Sequence, residues 1–294
     1  MPELPEVEVL VRHLRPLLRN RMIHAVQISR DRVLAGTDPR QLKKALRGSK
    51  FIGLSRRGKY LLFQLHRPGR SAPLLLIGHL GMTGRMYLAP TRQPLPKHAA
   101  VVLNLGAQNF IFEDTRYFGR FTLDHRFIQA LGPEPLSADF SAKQFGRALK
   151  RSLQPIKVKL LDQALVAGIG NIYASEALFR AGISPQTPAR ALLMPQVRKL
   201  WRSLREVLAE AIDFGSTVPL SYSGTARQDG LFFFGSSGGA SRFYEERLRV
   251  YDRANLPCLT CRRRIKRILQ AGRSTFYCPH CQRAKLQKPA RETV

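Results

Sequence analysis

The chain has 294 residues, and its 49 Lys+Arg against 20 Asp+Glu leave a formal charge of +29, with 44 % hydrophobic residues. That apolar content excludes a disordered basic tail and is enough for a sizeable core, divided between modest domains. The longest clean apolar run, Ala99 to Leu103, is far shorter than the ~20 residues of a membrane helix. The start carries Glu3, Glu6 and Glu8 without an apolar stretch, unlike a secretory signal, so a soluble, cytoplasmic protein is expected. Such an excess of positive charge on a folded chain points to a polyanionic partner, nucleic acid first. An acidic membrane surface is the rival, but no basic amphipathic helix supports it.

In chain order, Val7, Leu10, Val11, Leu14, Leu17 and Leu18 form a helical stripe within residues 3–19. The pattern then changes to short β runs over Ile23–Val33, Phe51–Leu65, Leu74–Leu88, Ala100–Leu105 and Phe110–Leu123, with a short helix near 39–47. An antiparallel sandwich or barrel with the first helix beside it is predicted. Residues 124–150 read as mixed, with Gly132, Pro133 and Pro135 marking a linker. Helical periodicity follows over Ile156–Ala167, Asn171–Ala181 and Pro195–Phe214. The last of these gathers Val197, Leu200, Trp201, Leu204, Leu208 and Ile212 on one core face. Residues 215–243 are Gly/Ser-rich around Phe232, Phe233 and Phe234, a loop suited to closing over something.

All four cysteines fall near the end, as Cys258-x2-Cys261 and Cys278-x2-Cys281 separated by sixteen residues. This is the two-knuckle spacing of a tetrahedral four-thiolate zinc site, with no open position for catalysis. Two disulfides are the alternative, disfavoured in a reducing compartment. Between the knuckles lie Arg262, Arg263, Arg264, Lys266, Arg267 and Arg273 with no acid, and Thr275–Tyr277 reads as a strand after a turn at Gly272. A zinc-pinned β-hairpin with a basic tip is predicted. Residues 241–294 carry 14 basic and 4 acidic residues, so charge is concentrated here.

Gly168-Ile-Gly170 is not a dinucleotide fingerprint, because Tyr173 occupies the third glycine position and a helix rather than a strand precedes it. It reads as a sharp turn between two helices with Asn171 as N-cap of the second, a place suited to phosphate. At the other end of the chain, Met1 precedes the small residue Pro2 and is expected to be removed. The exposed secondary amine would be partly neutral at neutral pH, since α-amino groups titrate near ~8. Such an amine can attack a sugar C1′, displace the base and leave an iminium. Glu3 and Glu6 lie beside it, although acids in a first helical turn also suit the helix dipole.

The start Met1-Pro-Glu-Leu-Pro-Glu-Val-Glu-Val9 resembles that of bacterial formamidopyrimidine-DNA glycosylases, bifunctional glycosylase/AP lyases of the Fpg/Nei family. The likeness continues through Arg57–Leu62, His79–Gly84, Lys97-His98, Asp114–Gly119, Leu131–Leu136, Asp162-Gln163, Gly168–Glu176 and Ser274–Cys281, in family order. Leu4 favours this branch over the endonuclease VIII branch. The resemblance implies a multi-domain α+β fold. Its parts would be an N-terminal antiparallel β-sandwich flanked by helices (1–130), a helix-two-turns-helix domain with a lesion-capping loop (131–243) and a C-terminal zinc hairpin (244–294). It implies excision of oxidised purines, 8-oxoguanine and formamidopyrimidines, from double-stranded DNA by a monomer, then strand cleavage by β,δ-elimination. Pro2 would be the Schiff-base nucleophile, Glu3 the proton donor that opens the sugar ring, and Glu6 an electrostatic support. Lys59 would donate the proton for β-elimination, and Arg273 would hold the lesion phosphates and assist δ-elimination. Extruding a nucleotide leaves a hole in the stack, which Met82, Arg116 and Phe118 would fill as plug, donor and wedge. His79, His98 and Asn171 resemble DNA-binding positions, with Arg151 the candidate for a further contact and Lys157 its competitor. One structural zinc on Cys258, Cys261, Cys278 and Cys281 completes the set.

Two departures stand out. The family's Asp-Pro-Arg-Arg-Phe-Gly becomes Asp114-Thr-Arg-Tyr-Phe-Gly119, so Tyr117 stands where a second arginine is usual. Gly230–Gly239 is longer than the usual segment before Leu248-Arg-Val-Tyr251. The same chemistry on oxidised pyrimidines, and a non-catalytic zinc-dependent DNA-binding protein, are the alternatives.

Overall fold

The computed structural model describes residues 2–69, 71–214 and 247–283. The triple-phenylalanine loop at 232–234 lies outside them. The described residues form two compact units, one of residues 2–134 with the end of the last helix (209–214), the other of residues 135–208 and 247–283.

The first unit opens with helix α1 (Leu4–Leu18). Val7, Leu10, Val11, Leu14 and Leu18 of the predicted stripe are almost fully buried along one face together with Leu4, whereas Leu17, also read into the stripe, is 41 % exposed on the other side of the helix end. Pro5 sits in the first turn, where its missing N–H costs nothing. The β runs become two four-stranded antiparallel sheets. One has the order β1-β6-β7-β5, from Ala25–Ile28, Ala99–Asn104, Gln108–Glu113 and Arg85–Pro90. The other has the order β2-β3-β4-β8, from Lys50–Arg57, Tyr60–His66, Leu74–His79 and Arg120–Thr122. Phe51, Phe63 and Phe121 of the second sheet meet Phe110 and Phe112 of the first, with Phe63 and Phe110 edge-on at 5.6 Å. Such aromatic pairs add about 0.5–1.5 kcal/mol each beyond the area they bury. Helix α2 (Pro39–Leu46) is capped by the Asp38 side chain, which accepts from the Gln41 N–H at 2.8 Å.

Three readings needed correction. The run Ile23–Val33 is strand only over Ala25–Ile28 and then tightens into a 3-10 turn, Asp31–Leu34, that buries Val33 and Leu34. Residues 124–150 hold two helices, α3 (Arg126–Gln129) and α4 (Ala142–Lys150), the latter capped by Ser141. The predicted helix Ile156–Ala167 is α5 only over Ile156–Leu160. Beyond it the Gln163 side chain donates to the Leu161 and Ile169 carbonyls and accepts from the Gly168 N–H. A loop tied to itself this way can bury Leu165, Val166 and Ala167 without helical geometry.

In the second unit, α6 (Asn171–Ala181) ends at Gly182 with φ +69°, the usual left-handed stop. Helix α7 (Met194–Asp213) buries Val197, Leu200, Leu204, Leu208 and Ile212. Its Trp201 is only partly buried and donates its indole N–H to the Phe140 carbonyl at 2.7 Å. The chain closes on a hairpin, β9 (Lys266–Gln270) with β10 (Arg273–Tyr277). Its turn residues Ala271 and Gly272 both have positive φ, +46° and +72°, the mirror-image turn whose twist suits a two-residue hairpin. Phe276, Ile265, Val250 and the cysteines share a small core with Phe179 of α6. Among the described residues, no helix is long and apolar enough to cross a membrane.

Candidate nucleic-acid interface and catalytic groups

At the start of α1, Glu3 is the N-cap and forms a capping box with Glu6, whose Oε2 accepts from the Glu3 N–H at 2.7 Å. The box satisfies amides that a helix start leaves bare. Both carboxylates are nearly inaccessible, 2 % and 1 %, and Pro2 beside them is only partly covered. Pro2 therefore stands next to two carboxylates held on a rigid helix end.

Lys59 lies in the turn between β2 and β3, just after Gly58 with φ +56°, and is 6 % exposed. Sequence reading placed it on the strand; it precedes the first strand residue, Tyr60. The turn is fixed by Glu134, which accepts from Arg56 Nη1 (2.8 Å), Arg57 Nη1 (3.1 Å) and the Gly58 N–H (2.5 Å). Arg56 also donates to Glu8 of α1 at 2.9 Å, and Arg57 to the Leu131 and Gly132 carbonyls. The positioning role of Glu134 and Glu8 is not visible in sequence, because their partners lie 48 to 78 residues away.

His79 ends β4 with its ring 4.6 Å from that of Tyr60, and its Nδ1 accepts from the Gly81 N–H at 3.1 Å. Burial first, then the charges of Lys59 and Arg120, push the imidazole down to about 3 from 6.5. It is thus neutral, with its proton on Nε2, a donor whose charge does not change near neutrality. A histidine held neutral in the fold stabilises it in full above about pH 6.5, and this contribution drains away as pH falls towards 3. His79→Gln is expected to flatten the acid limb of the unfolding free energy between pH 6.5 and 4, read by denaturant titration; an unchanged limb would place the protonation elsewhere.

Met82, Arg116 and Phe118 come together on two neighbouring turns. Met82 is 45 % and Phe118 51 % exposed, and Arg116 Nη1 reaches Met82 Sδ at 3.8 Å. The buried Asp114 organises them. It accepts from Thr83 Oγ1 (2.5 Å) and from the N–H groups of Arg116 (3.1 Å) and Gly119 (2.8 Å). The turns approach so closely that a Cβ on Gly81 would meet Gly119 N at 2.6 Å, and one on Gly119 would meet the His79 carbonyl oxygen at 2.8 Å. Both positions need glycine. His98 stands at the edge of this group, its Nδ1 3.2 Å from the Tyr117 hydroxyl.

In the second unit Asn171 corrects the sequence reading. Gly170 is the N-cap of α6, and the Asn171 side chain is engaged elsewhere. It accepts from Lys157 Nζ at 2.6 Å and donates to the Ser274 carbonyl of the hairpin at 2.9 Å. A buried ammonium is a stronger partner than a backbone amide, which explains why capping lost. Lys157 is itself fully buried, with a second bond to Thr275 Oγ1 at 3.3 Å, so it braces the hairpin from within, while Arg151 is exposed at the end of α4. Arg273 is the first residue of β10, exposed beside the turn. Glu176 figures in the sequence only as the last residue of the Gly168–Glu176 motif. Fully enclosed, it accepts three backbone N–H groups, from Arg249, Val250 and Tyr251 at 2.8–2.9 Å. Burial pushes its carboxyl upward against the pull of those donors.

The four cysteine sulfurs lie within 4.8 Å of one another, Cys258–Cys281 at 3.9 Å and Cys261–Cys278 at 3.4 Å. A tetrahedron with Zn–S bonds of about 2.3 Å needs sulfur–sulfur edges of about 3.8 Å, so the cluster fits a zinc ion and not a pair of disulfides. Burial works against ionising Cys258, but the backbone N–H groups of Cys261 and Thr260 bring its thiol down to about 7. Burial and the neighbouring thiols push Cys281 up. Four such thiols are best reconciled by a dication. Chelating the metal is expected to abolish the protection of hairpin amides 266–277 from hydrogen exchange, while the sheets of the first unit keep theirs. Retained protection would mean that the hairpin core stands without the metal.

Descriptions of known families match in three consecutive stretches. They are the formamidopyrimidine-DNA glycosylase N-terminal domain at residues 1–121, the H2TH domain of the same glycosylase at 131–221, and a zinc finger found in FPG and IleRS at 255–284. The chain is 43 % identical to a formamidopyrimidine-DNA glycosylase of Thermus thermophilus over 96 % of its own length and 98 % of that protein's. The chain belongs to the formamidopyrimidine-DNA glycosylase family. Its counterpart from Desulfitobacterium hafniense is 42 % identical over 96 % of this chain and the whole of the other. The fold matches that of Lactococcus lactis Fpg in complex with DNA containing N7-benzyl-Fapy-dG, with a TM-score of 0.83, 34 % identity and coverage of 96 % and 100 %. Membership confirms the α+β fold with its H2TH domain and the single structural zinc. It makes the chain a DNA glycosylase of base excision repair.

Proposed function

We propose that this glycosylase releases oxidised purines from double-stranded DNA through a covalent imine on Pro2, then cleaves the strand by β,δ-elimination. The observation that carries the reading is the amine-bearing helix end, with Pro2 followed by two buried carboxylates in a capping box, in a member of this family. With Met1 removed, the Pro2 nitrogen bonds to C1′ as the C1′–base bond breaks. The base leaves with a proton, and Glu3 protonates the ring oxygen as the sugar opens to an iminium. The Glu3 carboxylate, now deprotonated, takes the C2′ proton as the 3′ phosphate leaves with a proton from Lys59. Loss of the C4′ proton in a second elimination then expels the 5′ phosphate, assisted by Arg273, and water hydrolyses the iminium to free Pro2. Glu6 keeps the helix end negative. Met82, Arg116 and Phe118 fill the gap left by the extruded nucleotide, whose unstacking costs a few kcal/mol. His79 in its neutral Nε2–H form, His98, Asn171 and Arg151 bind the DNA.

The test is reduction with borohydride of the untagged protein on duplex DNA carrying one 8-oxoguanine opposite cytosine. A trapped adduct whose DNA-linked peptide maps to Pro2 is expected. An adduct formed only on an abasic site would move the lesion preference, towards oxidised pyrimidines or elsewhere. No adduct on either would leave a non-catalytic DNA-binding protein.

A further inference from the structure

The 3-10 turn Asp31–Leu34 lies outside the residues given roles so far. The arginine before it, Arg30, and the one within it, Arg32, are nonetheless held in place. Arg30 has its guanidinium carbon 5.4 Å from the centre of the Tyr117 ring, and Arg32 has its own 5.6 Å from that of Phe118. Both lie within the ~6 Å over which a cation is drawn to an aromatic face. The platform is firm on both sides. Tyr117 sits at φ +54°, an uncommon conformation for a bulky residue, with its hydroxyl on His98 Nδ1. The turn is anchored by buried Val33 and Leu34, and just past it Thr37 Oγ1 bonds to Thr122 Oγ1 at 2.7 Å. Arg30 also donates to the Ser29 carbonyl at 3.3 Å. Two exposed guanidinium groups are therefore oriented beside the exposed Met82, Arg116 and Phe118, without a carboxylate bonded to either among the described residues. Arg30 spends one N–H on Ser29, and a guanidinium seated by an aromatic face presents its further donors in a fork that matches a phosphate.

We propose that Arg30, seated on Tyr117, and Arg32, seated on Phe118, form a guanidinium pair that grips the DNA backbone phosphates next to the base step entered by Phe118. The aromatic rings thus do two jobs: Phe118 enters the stack, and both rings aim cations at the adjoining backbone. This rests on the DNA reading above.

The test is equilibrium binding of the full-length protein to a duplex with a tetrahydrofuran abasic analogue and to its undamaged counterpart, across about 50 to 300 mM salt. Each phosphate contact contributes about 0.9 to the slope of log K against log salt on duplex DNA. Arg30→Gln is expected to lower that slope by about one on both duplexes and to weaken binding several-fold. Arg30→Lys is expected to keep the slope, and Arg30→Gln/Arg32→Gln to lose about two. In a Tyr117→Leu background, Arg30→Gln should cost less than in the wild type, because the cation is no longer aimed. A wild-type slope in Arg30→Gln would overturn the proposal while leaving the DNA reading intact. A wild-type protein with no salt-dependent duplex binding would overturn both.

Discussion

Leaving Met1 or a tag on the amine of Pro2 is expected to lower single-turnover base release on the order of 10³-fold or more, the scale on which removing a covalent nucleophile acts. Affinity for an abasic-analogue duplex should change little. The reason is local. The helix end is built by Glu3 and Glu6 through the capping box, and that box uses the Glu3 N–H and both side chains but not the Pro2 nitrogen. An added residue on Pro2 thus removes the lone pair without dismantling the scaffold. A preceding peptide bond also turns a basic amine into an amide with no nucleophilicity at any working pH. The rate is measured by quenched single turnovers at saturating enzyme, and binding by anisotropy. Full activity with the amine blocked would sink the imine mechanism. A parallel loss of binding would mean that the extension blocks the site rather than the chemistry.

Replacing Glu176 is expected to produce the largest loss of stability. In Glu176→Leu three amides, those of Arg249, Val250 and Tyr251, lose their acceptor, and Val250 is fully buried. Each stranded buried donor costs about 1–3 kcal/mol, and since Arg249 is exposed and Tyr251 only partly covered a total of about 3–5 kcal/mol is expected for the second unit, or roughly 10–20 °C in its melting point. Glu176→Gln keeps one acceptor oxygen and should lose about half as much. Hydrogen exchange at residues 249–251 distinguishes this from a diffuse effect, since those amides should become the fastest exchangers of their segment. A Glu176→Leu protein that melts within a degree or two of the parent would show that water replaces the carboxylate.

Sequence made different parts of this molecule legible to different degrees. The zinc site was readable because its ligands come in two local pairs, each bite set by three residues of chain. The β runs of the first unit were readable because they are short apolar stretches set between turns, alternating in burial in β3 and buried almost throughout in β6 and β7. What periodicity missed were arrangements decided by distant partners. Leu165, Val166 and Ala167 extend an apolar stripe that looks helical, yet Gln163 ties them into a loop. Asn171 has the composition of a cap, but a buried lysine 14 residues earlier takes its side chain. Glu134 lies just past the end of the N-terminal segment drawn at 130, and only the fold brings it to the turn holding Lys59. Tyr117 looked like a lost cation, and only coordinates reveal that its ring carries Arg30.

The backbone contact between the turns of Gly81 and Gly119 has a consequence for changing what this enzyme repairs. With no side chain between them, and with Asp114 bonded to Thr83 on one turn and to Arg116 and Gly119 on the other, the turns move as one piece. A substitution that reshapes Met82, proposed above as the plug, should shift Phe118, proposed as the wedge, as well. Effects at positions 82, 116 and 118 should then be strongly non-additive. A search for altered damage preference that walks one position at a time would find mostly dead variants, whereas one that randomises the three together while holding glycine at 81 and 119 explores shapes the scaffold can support.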